Sequence, residues 1–158
     1  MVIWTSHPVQ AGFYFGPHFY FDGMRLDTFL ARFGKDERTL SDGFGLKHLF
    51  YLGRGLEVTA TSAGEVISYI FYLAPTAGPN GLDFTPADVQ TDSGLGRGNT
   101  WNDVWLLHGK PQRQKVDEVG DKLYVLEYAL DARHELDFYF DHKAFDAPII
   151  RMGVFSRQ

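Results

Sequence analysis

Imidazoles and carboxylates crowd into two runs near the C-terminus, "HELDFYFD" at 134–141 and "FDHKAFD" at 140–146. Side chains of these types ligate metals. Their spacing argues against it, because successive residues of a strand point to opposite faces and His134 and Glu135 would diverge. The six histidines, His7, His18, His48, His108, His134 and His142, form neither H-x-x-x-H nor H-E-x-x-H. No metal and no cofactor are expected.

Other reaction chemistries find equally little support. There is no cysteine, so thiolate catalysis, zinc-thiolate sites and disulfides are excluded. Ser41, Ser62, Ser68, Ser93 and Ser156 lack a G-x-S-x-G elbow. The "GLGRG" at 94–98 and "GRG" at 53–55 carry no phosphate-loop lysine and read as turns. Asp117 and Glu118 would need a cleft to shift one pKa before they worked as acid and base. His108 falls on the apolar side of a helix and reads as a hydrogen-bonded core or boundary residue. No catalytic residue is expected, and the chain is not read as an enzyme.

Binding chemistry is better represented. In "HELDFYF", Leu136, Phe138 and Phe140 alternate with Glu135, Asp137 and Tyr139, so one face is apolar and the other acidic and aromatic. Tyrosine suits recognition because its ring buries area while its hydroxyl stays wet. Glu135, Asp137 and Tyr139 are expected to form a partner-binding patch. Arg151 joins it from a neighbouring strand, with Tyr124 and Tyr128 on the same open face. Tyr51 and Tyr69 are also expected on an open sheet face.

Charge narrows the partner. The net charge is -5, of which -1 falls in residues 1–75 and -4 in residues 76–158. Nine acids run from Asp117 to Asp146, including Glu118 and Asp121, against Lys122, Arg133 and Lys143. Such a stretch repels nucleic acid and attracts a basic protein. The N-terminal "MVIWTSHPVQAGF" has no signal-peptide pattern and no run is long enough to span a membrane, so a cytoplasmic location is expected.

The elements that position these residues show a repeat. "GMRLDTFLARFGK" starts at Gly23 and "GNTWNDVWLLHGK" at Gly98, an offset of 75, and Gly45 falls on Gly120. Leu26, Phe29, Leu30 and Phe33 have the i, i+3, i+4, i+7 spacing of an amphipathic helix. Trp101, Val104 and Trp105 continue it in the second copy, with His108 or Leu107 as the last buried residue. Thr100 with Asp103 predicts a capped N-terminus, Asp27 suits the first turn of the other helix, and Gly34 and Gly109 end the helices. Turn-rich stretches, "KDERTLSDGFG" and "KPQRQKVDEVG", follow. Next come strands in "LKHLFYL", "LEVTAT" and "EVISYIFYL", then in "KLYVLEYAL", "HELDFYFD" and "PIIRMGVF". Extra strands are expected in "HFYFDG" and "GLDFTPADVQ". The Pro/Gly-rich linker at 74–81 divides the chain into 1–75 and 76–158. The fold expected is α+β: two tandem units, each a short helix packed on an antiparallel β-sheet.

Gly98, Thr100, Val104, Gly109, Lys110 and Pro111, with the weaker copy from Gly23 to Lys35, resemble the tandem repeat of the beta-lactamase inhibitor protein fold. A second resemblance is to immunity proteins encoded beside bacterial polymorphic and type VI secretion toxins. It rests on "FYFDGMRLDTFLARFGKDERT" and "YLGRGLEVTATSAGEVISYIFYL", with Gly34, Arg38, Gly55 and Leu56 in the matching places. This likeness implies a non-enzymatic protein that blocks the active site of a cognate toxin, which the acidic charge makes a basic one. The alternative from the residues themselves is a small-molecule-binding protein or enzyme with a pocket between sheet and helix.

Overall fold

The computed structural model describes residues 12–74, 82–91, 93–117 and 122–156. His7, Glu118, Gly120, Asp121 and the linker positions 75–81 lie outside the described residues. The order is β1 (Gly12–Phe15), β2 (His18–Phe21), α1 (Leu26–Phe33), β3 (Arg38–Ser41), β4 (Leu46–Tyr51), β5 (Leu56–Thr61) and β6 (Val66–Tyr72). It continues with β7 (Gln90–Thr91), α2 (Trp101–His108), β8 (Arg113–Asp117), β9 (Leu123–Ala129), β10 (His134–Phe140) and β11 (Arg151–Ser156).

Eight strands form one antiparallel sheet in the order β3-β4-β5-β6-β11-β10-β9-β8, and β2-β1-β7 form a small second sheet. This corrects the expected α+β pair of helix-on-sheet units. Strands dominate, both helices are only eight residues long, and the strands that follow them do not close into separate sheets. The reason lies in β6 and β11. Each would be an unpaired edge carrying large apolar side chains, and an edge of that kind recruits another strand. Here they recruit each other, with Tyr69 opposite Val154 and Phe71 opposite Met152.

Two further corrections concern the turn-rich stretches and the strand expected before α2. Arg38–Ser41 and Arg113–Asp117 are the two edge strands of the large sheet. Edge strands carry polar and charged side chains that discourage further pairing, so their sequences look like loops. Among the described residues of "GLDFTPADVQ", 82–90, only Gln90 enters a strand.

Both helices cover the same face of the large sheet. Phe29 and Phe33 stack at 5.0 Å and pack edge-on against Tyr51, while Trp101 packs on Phe140 at 4.8 Å. The small sheet lies on that face too, through Phe13 against Tyr69 and Phe71. The helix ends are fixed alike. Tyr51 donates its hydroxyl proton to the Gly34 carbonyl at 2.8 Å, and Tyr128 does the same to Gly109 at 2.8 Å. Thr100 and Asp103 form the reciprocal capping box of α2, whereas Arg25 at the N-cap of α1 makes no side-chain cap.

Among the described residues, the other face carries no α-helix. Leu82 and Phe84 pack there together with Leu52 of the 3-10 turn Leu52–Arg54, Phe84 stacking on Tyr72 at 4.1 Å. The chain then rounds the end of the sheet at Gly55, whose left-handed backbone (φ 66°) leaves no room for a Cβ, since one would lie 2.4 Å from the Thr85 carbonyl oxygen.

Candidate binding face

Strand register assembles the site on the helix-free face. One row of directly opposed residues crosses all eight strands: Arg113, Glu127, Asp137, Gly153, Ile70, Glu57, Phe50 and Arg38. On one side of it run Lys115, Val125, Tyr139, Arg151 and Tyr72. On the other run Ala129, Glu135, Phe155, Ser68, Thr59, His48 and Leu40. Ionisable groups therefore sit side by side on a surface that a simple sheet would leave to water.

Asp137 is the centre of this face. It is 2% exposed, because the residue opposite is Gly153 and the Phe155 ring folds over that glycine. A Cβ on Gly153 would fall 2.2 Å from the ring. Desolvation, together with the charges of Glu135 and Glu127 and a hydrogen bond with Glu135, pushes the Asp137 pKa up to about 8. The carboxyl is therefore mostly protonated at neutral pH. Its Oδ1 is buried and has no hydrogen-bond partner.

Glu127, directly opposite Asp137, behaves in the contrary way. Burial pushes its pKa up, but hydrogen bonds from Arg113 and Lys115 outweigh that and hold it below the ordinary value. Arg113 Nη2 lies 2.8 and 3.0 Å from its two oxygens and Lys115 Nζ lies 3.2 Å away. Glu127, Glu135 and Asp137 bring one carboxylate oxygen each within 4.8 Å of one another. They are close enough to hold a cation, which would have to displace the Asp137 proton and compete with Arg113 and Lys115 for Glu127.

Beyond Gly153 the polar row continues. Tyr72 donates to Glu57 Oε1 at 3.2 Å, and His48 Nδ1 stands 3.5 Å from Glu57 Oε2. The other His48 nitrogen meets Asp42 at 2.9 Å. Arg151 lies between the rings of Tyr72 and Tyr139, its guanidinium carbon 4.9 and 5.5 Å from their centroids. Its Nε is buried without a hydrogen-bond partner.

Of the six residues expected to bind a partner, the structure brings together Glu135, Asp137, Tyr139 and Arg151. Tyr124 and Tyr128 stand on the helix-covered face, opposite Phe140 and Leu136, and Tyr128 is committed to the end of α2. Tyr51 and Tyr69 are likewise buried under α1 and the small sheet. Glu57, Tyr72 and Glu127 were not among the expected binding residues. Glu127 carried a legible signal as the one acid inside the apolar run "LYVLEYAL".

Two other polar clusters are structural in their contacts. His108 accepts from or donates to Ser93 at 3.3 Å, packs with its ring tilted against Tyr128 and Phe138, and has its pKa lowered by burial. Ser93 in turn bonds Thr91, which caps the Leu95 amide. His134 is held between Asp131 (2.6 Å) and Asp22 (3.3 Å), and Ser156 donates to Asp22 at 2.7 Å. That cluster fastens the end of β2 to β10 and β11.

No helix among the described residues is long and apolar enough to cross a membrane. No protein-family model matches the sequence, and no curated protein matches it. Solved structures with this architecture include an extracellular protein containing a SCP domain from Bacillus anthracis strain Ames. It superposes with a TM-score of 0.55 at 13% identity over 85% of this chain, which spans 43% of that protein's length. A DUF4309 family protein of Bacillus subtilis, YjgB, superposes with a TM-score of 0.51 at 14% identity, covering 84% of this chain and 78% of that one. At these identities the likeness is one of fold alone.

Proposed function

We propose that this is a non-catalytic binding protein that holds a basic protein partner against the helix-free face. The observation that carries the reading is Asp137, a buried carboxyl with an orphaned oxygen, set among Glu127 and Glu135. A buried acid without its full set of partners weakens the free protein. A lysine or arginine from a partner supplies both the missing donor and the missing charge. The net charge of -5 steers such a partner towards the surface. The interval between α2 and the sheet is filled by Trp101, Val104, Tyr128 and Phe138, which favours this face over a pocket there.

A toxin-neutralising immunity protein, acting in the cytoplasm, is the specific form of this reading that the sequence resemblance supports. Affinity capture of the tagged protein from its native cells, with mass-spectrometric identification, tests it. A single basic protein whose activity is silenced in the complex supports the reading. A co-purifying metabolite with no protein partner contradicts it.

A further inference from the structure

We infer that Arg151, framed by Tyr72 and Tyr139, is a receptor for the carboxylate group of a ligand. This goes beyond capture of a basic partner, which rests on the acids of the neighbouring row. A guanidinium keeps its charge at every physiological pH. Arg151 nevertheless makes no hydrogen bond or ion pair with any described residue, and its Nε is shielded from water. The anions around it are otherwise engaged. Glu57 accepts from Tyr72 and faces His48. Glu127 takes Arg113 and Lys115. Asp137 shares its hydrogen bond with Glu135 and, with its pKa near 8, brings little negative charge at neutral pH. A half-buried cation is thus left without a counter-ion, which is costly unless a ligand provides one.

Geometry selects the ligand's chemistry. The two tyrosine rings flank the guanidinium on neighbouring strands and restrict its orientation. A planar fork held in this way suits a bidentate oxyanion. The adjacent acids penalise a dianion more than a monoanion, so a carboxylate fits better than a phosphate. It can come from a free small acid or from a polypeptide.

The Arg151 Nε–H resonance of the 15N-labelled protein reads the site directly. Sodium acetate is titrated against sodium chloride and sodium phosphate at pH 7 and matched ionic strength. The expected result is a saturable shift with acetate only, with an apparent Kd on the order of 1–10 mM for one charge-assisted contact. Arg151→Lys, which keeps the charge and loses the fork, should weaken it at least about tenfold, read from neighbouring backbone amides. A linear response equal in acetate and chloride, tighter binding of phosphate, or an unchanged acetate response in Arg151→Lys would overturn the assignment. A short peptide with a free C-terminus, compared with its amide, separates the sources. A peptide acid bound much more tightly than acetate, with the amide silent, assigns the site to a polypeptide; equal affinity assigns it to a small acid. Loss of acetate binding leaves capture of a basic protein intact, and Asp137→Asn tests that capture without removing the Arg151 fork.

Discussion

Asp137 and Arg151 lie on the same face of adjacent antiparallel strands, two residues out of register, and remain unpaired. Asp137 stands opposite Gly153 and Arg151 opposite Tyr139, yet Asp137 Oδ1 and Arg151 Nε are both buried without a hydrogen-bond partner. Each is drawn away from the other, Asp137 towards Glu135 and Arg151 between two tyrosine rings. The separation leaves two unsatisfied polar atoms on the helix-free face.

The proton on Asp137 makes stability depend on pH. Its folded pKa of about 8 lies above the ordinary 3.8, so between those values the folded protein holds a proton that the unfolded chain has released. The Asp137 contribution to stability therefore falls as pH rises from about 4 to about 8, and is flat above that. Asp137→Asn should remove this loss and stabilise the protein by a few kcal/mol above pH 8, with little effect near pH 4. Asp22, also raised by burial against the opposing Ser156 hydrogen bond, contributes the same sign, so the variant's profile should be shallower without being level. Urea denaturation across pH 4–9 measures it.

Gly153 creates the shelter for Asp137. Gly153→Ala places a Cβ 2.2 Å from the edge of the Phe155 ring and should cost about 1–3 kcal/mol through displaced packing. Moving that ring admits water, so the Asp137 pKa should fall towards the ordinary carboxylate range. Carboxyl carbon NMR titration of both proteins checks the shift, and denaturation checks the cost.

The two tyrosine-to-glycine hydrogen bonds invite a matched pair of substitutions. Tyr51→Phe and Tyr128→Phe each leave a carbonyl at the end of a helix without its donor. Each should lower the unfolding free energy by about 1 kcal/mol. The sites share no partner, so the double variant should lose close to the sum. A shortfall in the urea midpoint of the double variant would reveal coupling between the two halves of the sheet.

Legibility followed pattern strength. Helix α2 was readable because Thr100, Asp103 and Gly109 mark both ends, and β10 because its alternation is clean. Strands β3 and β8 were unreadable because edge strands are selected for polarity, which removes the apolar alternation. The single sheet was hidden because nothing local states that β6 will pair with β11, 79 residues from Tyr72 to Arg151. Residue type alone points Tyr124 and Tyr128 to the open face, whereas strand parity decides. Glu127 shares its face with Val125 and Ala129, which sends Tyr124, Leu126 and Tyr128 to the other side. Had the lone acid set the parity, the site would have gained Glu127 and lost both tyrosines.

Comparative capture decides whether the helix-free face holds the partner. The tagged protein, Glu135→Arg and Asp137→Asn on the helix-free face, and Leu106→Ser on exposed α2 are each passed through the same native extract. All variants are first shown to be folded by circular dichroism. The account predicts that Leu106→Ser retains the basic partner in full, that Asp137→Asn retains it about tenfold less well, and that Glu135→Arg loses it. Equal capture by all four proteins, or loss confined to Leu106→Ser, would contradict the assignment of the helix-free face.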